Sequence, residues 1–171
     1  MLTHIFSPAT CAQCRLCCHF CQRSAWETPF LEPELAALLE QNGVPLMTRL
    51  NGSKSFALHF TSNDPEENCN CPLLDTAAGC TLPREKRPFE CRVWPIRLMH
   101  DEQHQLCIAY YSHCPALQTP DTRQKLIHYA TNELLPILLD YAERFPKSIR
   151  PLDHHYSIIR KIKNAAAPSV V

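Results

Sequence analysis

Five cysteines fall within one short stretch, Cys11-Ala-Gln-Cys14-Arg-Leu-Cys17-Cys18-His-Phe-Cys21, and Cys69, Cys71, Cys80, Cys91, Cys107 and Cys114 follow singly. Thiolates two residues apart come close enough to share one metal ion or one iron–sulfur cluster. A disulfide framework is the competing chemistry, and it fits poorly. Eleven is an odd number, and adjacent Cys17 and Cys18 would each need a partner at a suitable Cα distance. Disulfide-dense folds are mostly chains too small to build a core, whereas 171 residues suffice for one.

The composition narrows the chemistry further. The first ten residues lack a basic segment followed by an apolar one, so no secretory leader is expected and the expected compartment is the cytoplasm. No apolar run approaches the ~20 residues of a membrane helix, so no membrane partner is expected. Seventeen basic residues balance seventeen acidic ones, which gives no general electrostatic case for nucleic acid. The glycines Gly43, Gly52 and Gly79 are scattered, which excludes a dinucleotide fingerprint or a phosphate loop. Basic residues do concentrate locally. Arg84, Lys86, Arg87, Arg92 and Arg97 are interleaved with cysteines, and a second set from Arg144 to Lys163 reads as a solvated helix face.

These residues must be positioned by short elements. Residues 1–30 read as loop with at most one helical turn. Pro33 and Glu34 open a helix that Asn42-Gly43 closes. Asn51-Gly52 between Leu46–Leu50 and Ser55–Phe60 predicts a hairpin, and Arg97–Met99 with Leu106–Tyr111 predicts a second. Thr61–Leu98 is polar and punctuated by prolines, an irregular stretch that a metal site would order. Thr119-Pro120 caps the clearest helix, with Leu126, Tyr129, Ala130, Leu134, Ile137, Leu138 and Tyr141 at helical spacing and Pro136 set to kink or split it. Asp153 is expected to cap a last helix through Lys163. The fold expected is α+β: a small, irregular, metal-organised single domain over residues 1–164, with short β-hairpins, a C-terminal pair of helices and a disordered tail at 165–171.

Cys11, Cys14, Cys17 and Cys21 match the C-x2-C-x2-C-x3-C spacing of ferredoxin clusters, but Gln22 stands where proline usually follows. A second pattern spans more of the chain. Cys11-x2-Cys14-x2-Cys17-Cys18 is followed by Cys71-Pro-Leu-Leu-Asp75, Gly79-Cys80, Arg87-Pro88-Phe-Glu-Cys91-Arg92 and Cys114-Pro115. This series resembles the YkgJ-like cysteine-cluster family, which is named for its CxxCxxCC motif and regarded as zinc- or iron-chelating. The chain departs from it at Arg15, where the family often has glycine, and at Thr81-Leu82-Pro83, where it favours a tyrosine. The resemblance implies eight metal ligands: Cys11, Cys14, Cys17, Cys18, Cys71, Cys80, Cys91 and Cys114. Eight exceed one tetrahedral zinc or one four-cysteine cluster, which leaves either two sites or one site with spare thiols.

Cys21, Cys69 and Cys107 fall outside the series, and Cys107 reads as a small buried hydrophobe in a strand. The dense C-x2-C-x2-C run completed by distant cysteines favours an iron–sulfur cluster, a [4Fe–4S] form, with zinc as the alternative. Arg87 and Arg92 flank Cys91, where guanidinium groups would stabilise a negatively charged thiolate site, so both are taken as cofactor-binding. His19 is the best non-cysteine ligand candidate, and His100 and His104 share H-x3-H spacing in a polar turn. Trp26 and Trp94 are expected in the core.

The leading functional expectation is a metal-binding protein with a structural, redox or sensing role and room for a protein partner. The alternative is a cluster-dependent protein-modifying enzyme. Flagellin lysine N-methylases carry the same cysteine motif, so the resemblance permits that activity.

Overall fold

The computed structural model describes Leu2, Ile5, Phe6 and residues 14–162. The expected ligand Cys11 and the expected disordered tail at 165–171 lie outside the described residues. The fold is α+β, and the chain divides into two compact units, Met1–Trp94 and Pro95–Val171.

In the first unit, β1 (His19–Cys21) pairs antiparallel with β4 (Asn68–Asn70), placing Phe20 opposite Cys69. Between them lie α1 (Pro33–Gln41) and the hairpin of β2 (Leu46–Thr48) and β3 (Lys54–Phe56). Proline at the first position of α1 gives up an N–H that would have had no partner there, and Asn42 and Gly43 end the helix as the sequence predicts. Gly52 takes the left-handed φ of 77° that the tight hairpin turn requires. Phe20, Leu31, Ala36, Leu39, Phe56, Cys71 and Leu73 form a small apolar core among these elements.

The stretch expected to be irregular carries more regular structure than its composition suggests. β5 (Leu74–Asp75) and β6 (Gly79–Cys80) make a minimal hairpin. Its turn is held by Asp75, whose carboxylate accepts the backbone N–H of Ala77 at 2.8 Å and of Ala78 at 2.6 Å, while Gly79 supplies a φ of 87°. A short helix, α2 (Phe89–Val93), follows Pro88. The carboxylates of Glu32 and Glu90 fix this region to α1 and its lead-in. Glu32 accepts the Phe89 N–H at 3.0 Å, and Glu90 accepts the Phe30 N–H at 3.2 Å.

The second unit is built on a four-stranded sheet in the order β10 (Tyr156–Lys161), β8 (Leu106–Tyr111), β7 (Ile96–His100) and β9 (Arg150–Pro151). β7 and β8 form the predicted hairpin, and β9 pairs parallel with β7. Central strands meet side chains on both faces. Ile96, Leu98, Met99, Cys107, Ile108 and Ala109 are accordingly all buried.

The long helical segment splits as expected near Pro136. α3 (Pro120–Tyr129) runs into a π-helical turn at Ala130–Leu134 and then into α4 (Leu135–Arg144). Proline lacks the N–H that residue 132 would accept and crowds that carbonyl, and widening the preceding turn relieves the conflict. Thr119 caps α3 by accepting the Thr122 N–H at 3.2 Å. Leu126, Ala130, Leu134 and Leu138 turn the apolar stripe inward.

One expected element is overturned. Residues after Asp153 form no terminal helix. They make β10 (Tyr156–Lys161), antiparallel to β8 with a bulge between Ile158 and Arg160. Asp153 does act as a local cap, since its carboxylate accepts the His155 N–H at 2.9 Å, but that turn leads into a strand. The Tyr-Ser-Ile-Ile run favours a half-buried pleated surface, and pairing along β8 decides the outcome. Among the described residues, no helix is long and apolar enough to cross a membrane.

Candidate metal centre

Five of the eight expected ligands, Cys17, Cys18, Cys71, Cys80 and Cys91, gather in the first unit from four separate places in the chain. Cys18 ends a 3-10 turn (Leu16–Cys18), and its carbonyl accepts the Cys71 N–H at 2.8 Å. That bond extends the β1–β4 pairing by one step and ties the first cysteine run to the middle of the chain. Three residues beyond Cys71, the β5–β6 hairpin sets Cys80 opposite Leu74. Cys91 sits on α2, with its N–H donating to the Pro88 carbonyl at 3.0 Å.

These thiols act on one another electrostatically. Burial pushes the Cys71 thiol up to about 12, a Leu73 backbone hydrogen bond opposes this, and negative charge on Cys18, Cys80 and Cys69 adds to the rise. Burial likewise pushes Cys91 well above its ordinary value, reinforced by Cys71, Cys18, Glu90 and Cys80. Cys18 moves the other way, to about 7. Its hydrogen bond with Cys17 is the main cause, burial opposes it, and Arg87 and Arg15 assist. The Cys17 and Cys18 sulfurs are 3.9 Å apart, and Cys17 is exposed.

A cavity of about 290 Å³ opens onto this group, walled by Cys17, Cys18, Cys80 and Cys91, with Cys71 set behind in the apolar core. Arg87 and Arg92, the expected cofactor-binding pair, both line it. The Arg87 Nε donates to the Leu82 carbonyl at 3.0 Å, and the Arg92 guanidinium lies 5.5 Å from the Phe89 ring centre. Arg15 and Arg84 line it too, and sequence reasoning did not assign them there. The signal for Arg15 was its place directly after Cys14. Trp94 was expected in the core, but it is half-buried and forms part of the cavity wall. Val93 takes the interior position at the end of α2, and the extended backbone at Trp94 carries the ring to the cavity instead.

The remaining cysteines fall elsewhere. Cys14 is half-buried at the start of the continuously described chain. Cys114 lies in the second unit, where it leads into a 3-10 turn (Pro115–Leu117). Cys107 is fully buried in β8 and donates to the Met99 carbonyl at 3.3 Å, a packed interior thiol as expected. Cys21 and Ser24 are hydrogen-bonded at 3.1 Å, and Cys69 lies on β4. His19 is exposed on β1. His100 ends β7, and His104 sits in the following turn with a φ of 58°. A group not foreseen from the sequence is Asp153, His154 and His155, whose ligand atoms lie within 4.8 Å of one another.

The donor set of Cys18, Cys71, Cys80 and Cys91 fits a thiophilic metal or cluster. Burial and neighbouring negative charge oppose bare thiolates at Cys71 and Cys91, and a bound cation would remove both penalties by taking the place of the protons. Comparison with protein-family models, with curated proteins and with solved structures found no match for this chain.

Proposed function

We propose that the first unit holds an iron–sulfur cluster through Cys18, Cys71, Cys80 and Cys91, and that Cys11, Cys14, Cys17 and Cys114, the other ligands the family resemblance implies, belong to a second site or are spare thiols. The single observation that carries this reading is the cavity of about 290 Å³ between thiols contributed by distant parts of the chain. A single ion needs far less space, since even a water molecule takes only about 30 Å³. Zinc bound to four cysteines is therefore the second choice.

A cluster in this cavity supplies one-electron redox chemistry or a labile sensing group. The protein's part is to hold the thiolates, to set guanidinium groups of Arg87 and Arg92 against their negative charge, and to leave one side open. The exposed thiol of Cys17 at that side supports a redox or sensing role over a purely structural one. Reduced thiols in this number suit the cytoplasm. Membership of the YkgJ-like family is part of the same proposal.

The test is metal and acid-labile sulfide content with the visible spectrum, on protein purified without oxygen. Roughly four irons and four sulfides per chain with broad brown absorbance support a [4Fe–4S] site. Colourless protein with zinc and no sulfide replaces it with the zinc reading. Protein with neither, and with Cys91→Ser behaving as the parent, ends the metal assignment.

A further inference from the structure

The second unit carries a group of ligand-bearing side chains that the thiols do not use. Asp153, His154 and His155 each offer one donor atom, and the three atoms lie within 4.8 Å of one another. The His154 Nδ1 is 3.3 Å from the Asp153 Oδ2, and the His155 Nε2 is 3.9 Å from the Oδ1. Donors bound at about 2.0–2.1 Å to a tetrahedral ion stand roughly 3.3 Å apart, so small side-chain rotations would close the set.

Consecutive residues of a strand point to opposite faces, and a tight turn is what brings these three together. The Asp153 carbonyl accepts the Tyr156 N–H at 3.0 Å, and the Asp153 Oδ1 accepts the His155 N–H at 2.9 Å. The second bond fixes the carboxylate and leaves its Oδ2 beside His154. The turn is tied to the sheet at both ends. Leu152 donates to the His100 carbonyl at 2.7 Å, and Ser112 donates to the His155 carbonyl at 2.8 Å. The ring centres of Tyr111 and His113 lie 6.1 and 5.4 Å from that of His155, and the His154 centre lies 3.8 Å from it.

A separate observation points to a ligand. His155 is half-buried, yet its Nδ1 is enclosed and has no hydrogen-bond partner. Enclosing an unpaired polar atom is costly, and one that stands beside two further donors is explained by a bound ion.

We propose that Asp153, His154 and His155 bind one divalent transition-metal ion of the zinc class, with water in the fourth position. Two imidazoles and a carboxylate suit such an ion, and three protein ligands leave the fourth place open. His154 is exposed, which keeps that side open to solvent. Packing of Tyr111 and His113 against the His155 ring holds it in orientation. The site uses residues of the second unit alone and does not rest on the thiol reading above.

The experiment is titration of the full chain, purified without oxygen, with Co2+ as a paramagnetic probe, read by broadening of the backbone amide resonances. A readout at each position separates this turn from the thiols of the first unit. Broadening should saturate, should centre on Asp153–Tyr156 with Ser112 and His113, and should be reversed by added zinc. His154→Ala and Asp153→Asn should each weaken Co2+ at the turn roughly ten-fold or more, since loss of a group that merely supports a ligand already costs that much. Asp153→Asn retains an oxygen for the His155 N–H, so the turn itself persists in that variant. His128→Ala, on α3, should leave binding as it was.

Broadening that never saturates, or that does not favour the turn, overturns the proposal. So does binding at the turn that survives both substitutions or falls equally with His128→Ala. Co2+ detected only around Cys18, Cys71, Cys80 and Cys91 also overturns it and leaves the thiol reading intact. Binding at the turn in protein whose thiols hold no metal supports this site and counts only against the thiol reading.

Discussion

The unit up to Trp94 and the unit from Pro95 onward are built from different kinds of element. The second has a four-stranded sheet whose central strands are buried on both faces, and a long helical segment with a continuous apolar stripe. Each buried Ile or Leu there is worth about 1.5–3 kcal/mol, so side-chain burial alone accounts for its order. The first has two- and three-residue strands, an apolar cluster of seven residues that includes Cys71, further buried side chains such as Phe30, Phe89 and Val93, and thiols facing a cavity lined with arginine. Such short pairings are marginal by themselves. One chain therefore contains a unit that its apolar residues can hold together and a unit whose elements converge on its thiols.

That contrast can be broken most directly by emptying the proposed site. Removing metal with a chelator, or replacing Cys91 by serine, should abolish amide protection in β4, β5, β6 and α2 while the β7–β8 amides stay protected. Hydrogen exchange read by mass spectrometry distinguishes this from a uniform loss, which would mean that the first unit does not depend on its thiols. The next largest effect should come from the opposite side. Ile108→Ala in β8 opens a cavity in a fully buried site and should cost about 2–5 kcal/mol in denaturant unfolding, with metal content unchanged.

Smaller effects sharpen the comparison. Thr119→Ala removes the cap of α3 and should cost about 1 kcal/mol, read in the same unfolding experiment. Last comes a loop of the first unit held by one half-buried carboxylate. Glu67 accepts the Thr61 and Ser62 backbone N–H groups at 2.6 and 2.7 Å, and both hydroxyls at 2.7 Å. The Thr61 N–H is the main cause, followed by the hydroxyls of Ser62 and Thr61, of a carboxyl held at about 2 against an ordinary 4.5. Because the folded value is the lower one, the loop's stabilisation is fully present above the ordinary value and is lost as pH falls toward about 2. The Thr61 and Ser62 amide resonances should titrate near the lower value. A midpoint near the ordinary one would mean that these bonds do not hold in solution.

Local chemistry explains which parts were legible in the sequence. Asn51-Gly52 announced the first hairpin, Pro33 and Thr119-Pro120 the helix starts, and Pro136 the split in the long helix, because each acts through its own backbone. β10 was misread because Asp153 signals a turn whether a helix or a strand follows, and only the neighbouring β8 decides. The pairing of β1 with β4 joins residues some fifty positions apart, and no local signal marks it. The meeting of Cys18, Cys71, Cys80 and Cys91 depends on that pairing, so the ligand types were legible while their convergence was not. In the sequence Arg84 is one charge among several, and Arg15 is marked only by its place after Cys14. Their shared cavity is a property of the folded chain.

The bulge in β10 and the brevity of β9 have a consequence beyond the fold itself. An open sheet offers unpaired backbone at its edges, where another chain can add a strand. Here one edge is two residues long and includes Pro151, which has no N–H to give. The other is twisted by the bulge between Ile158 and Arg160 and ends in Arg160 and Lys161. Both edges are poor templates for aggregation. A chain that has lost whatever its thiols hold would expose cysteines in the first unit without also offering, in the second, a sheet for another copy to extend.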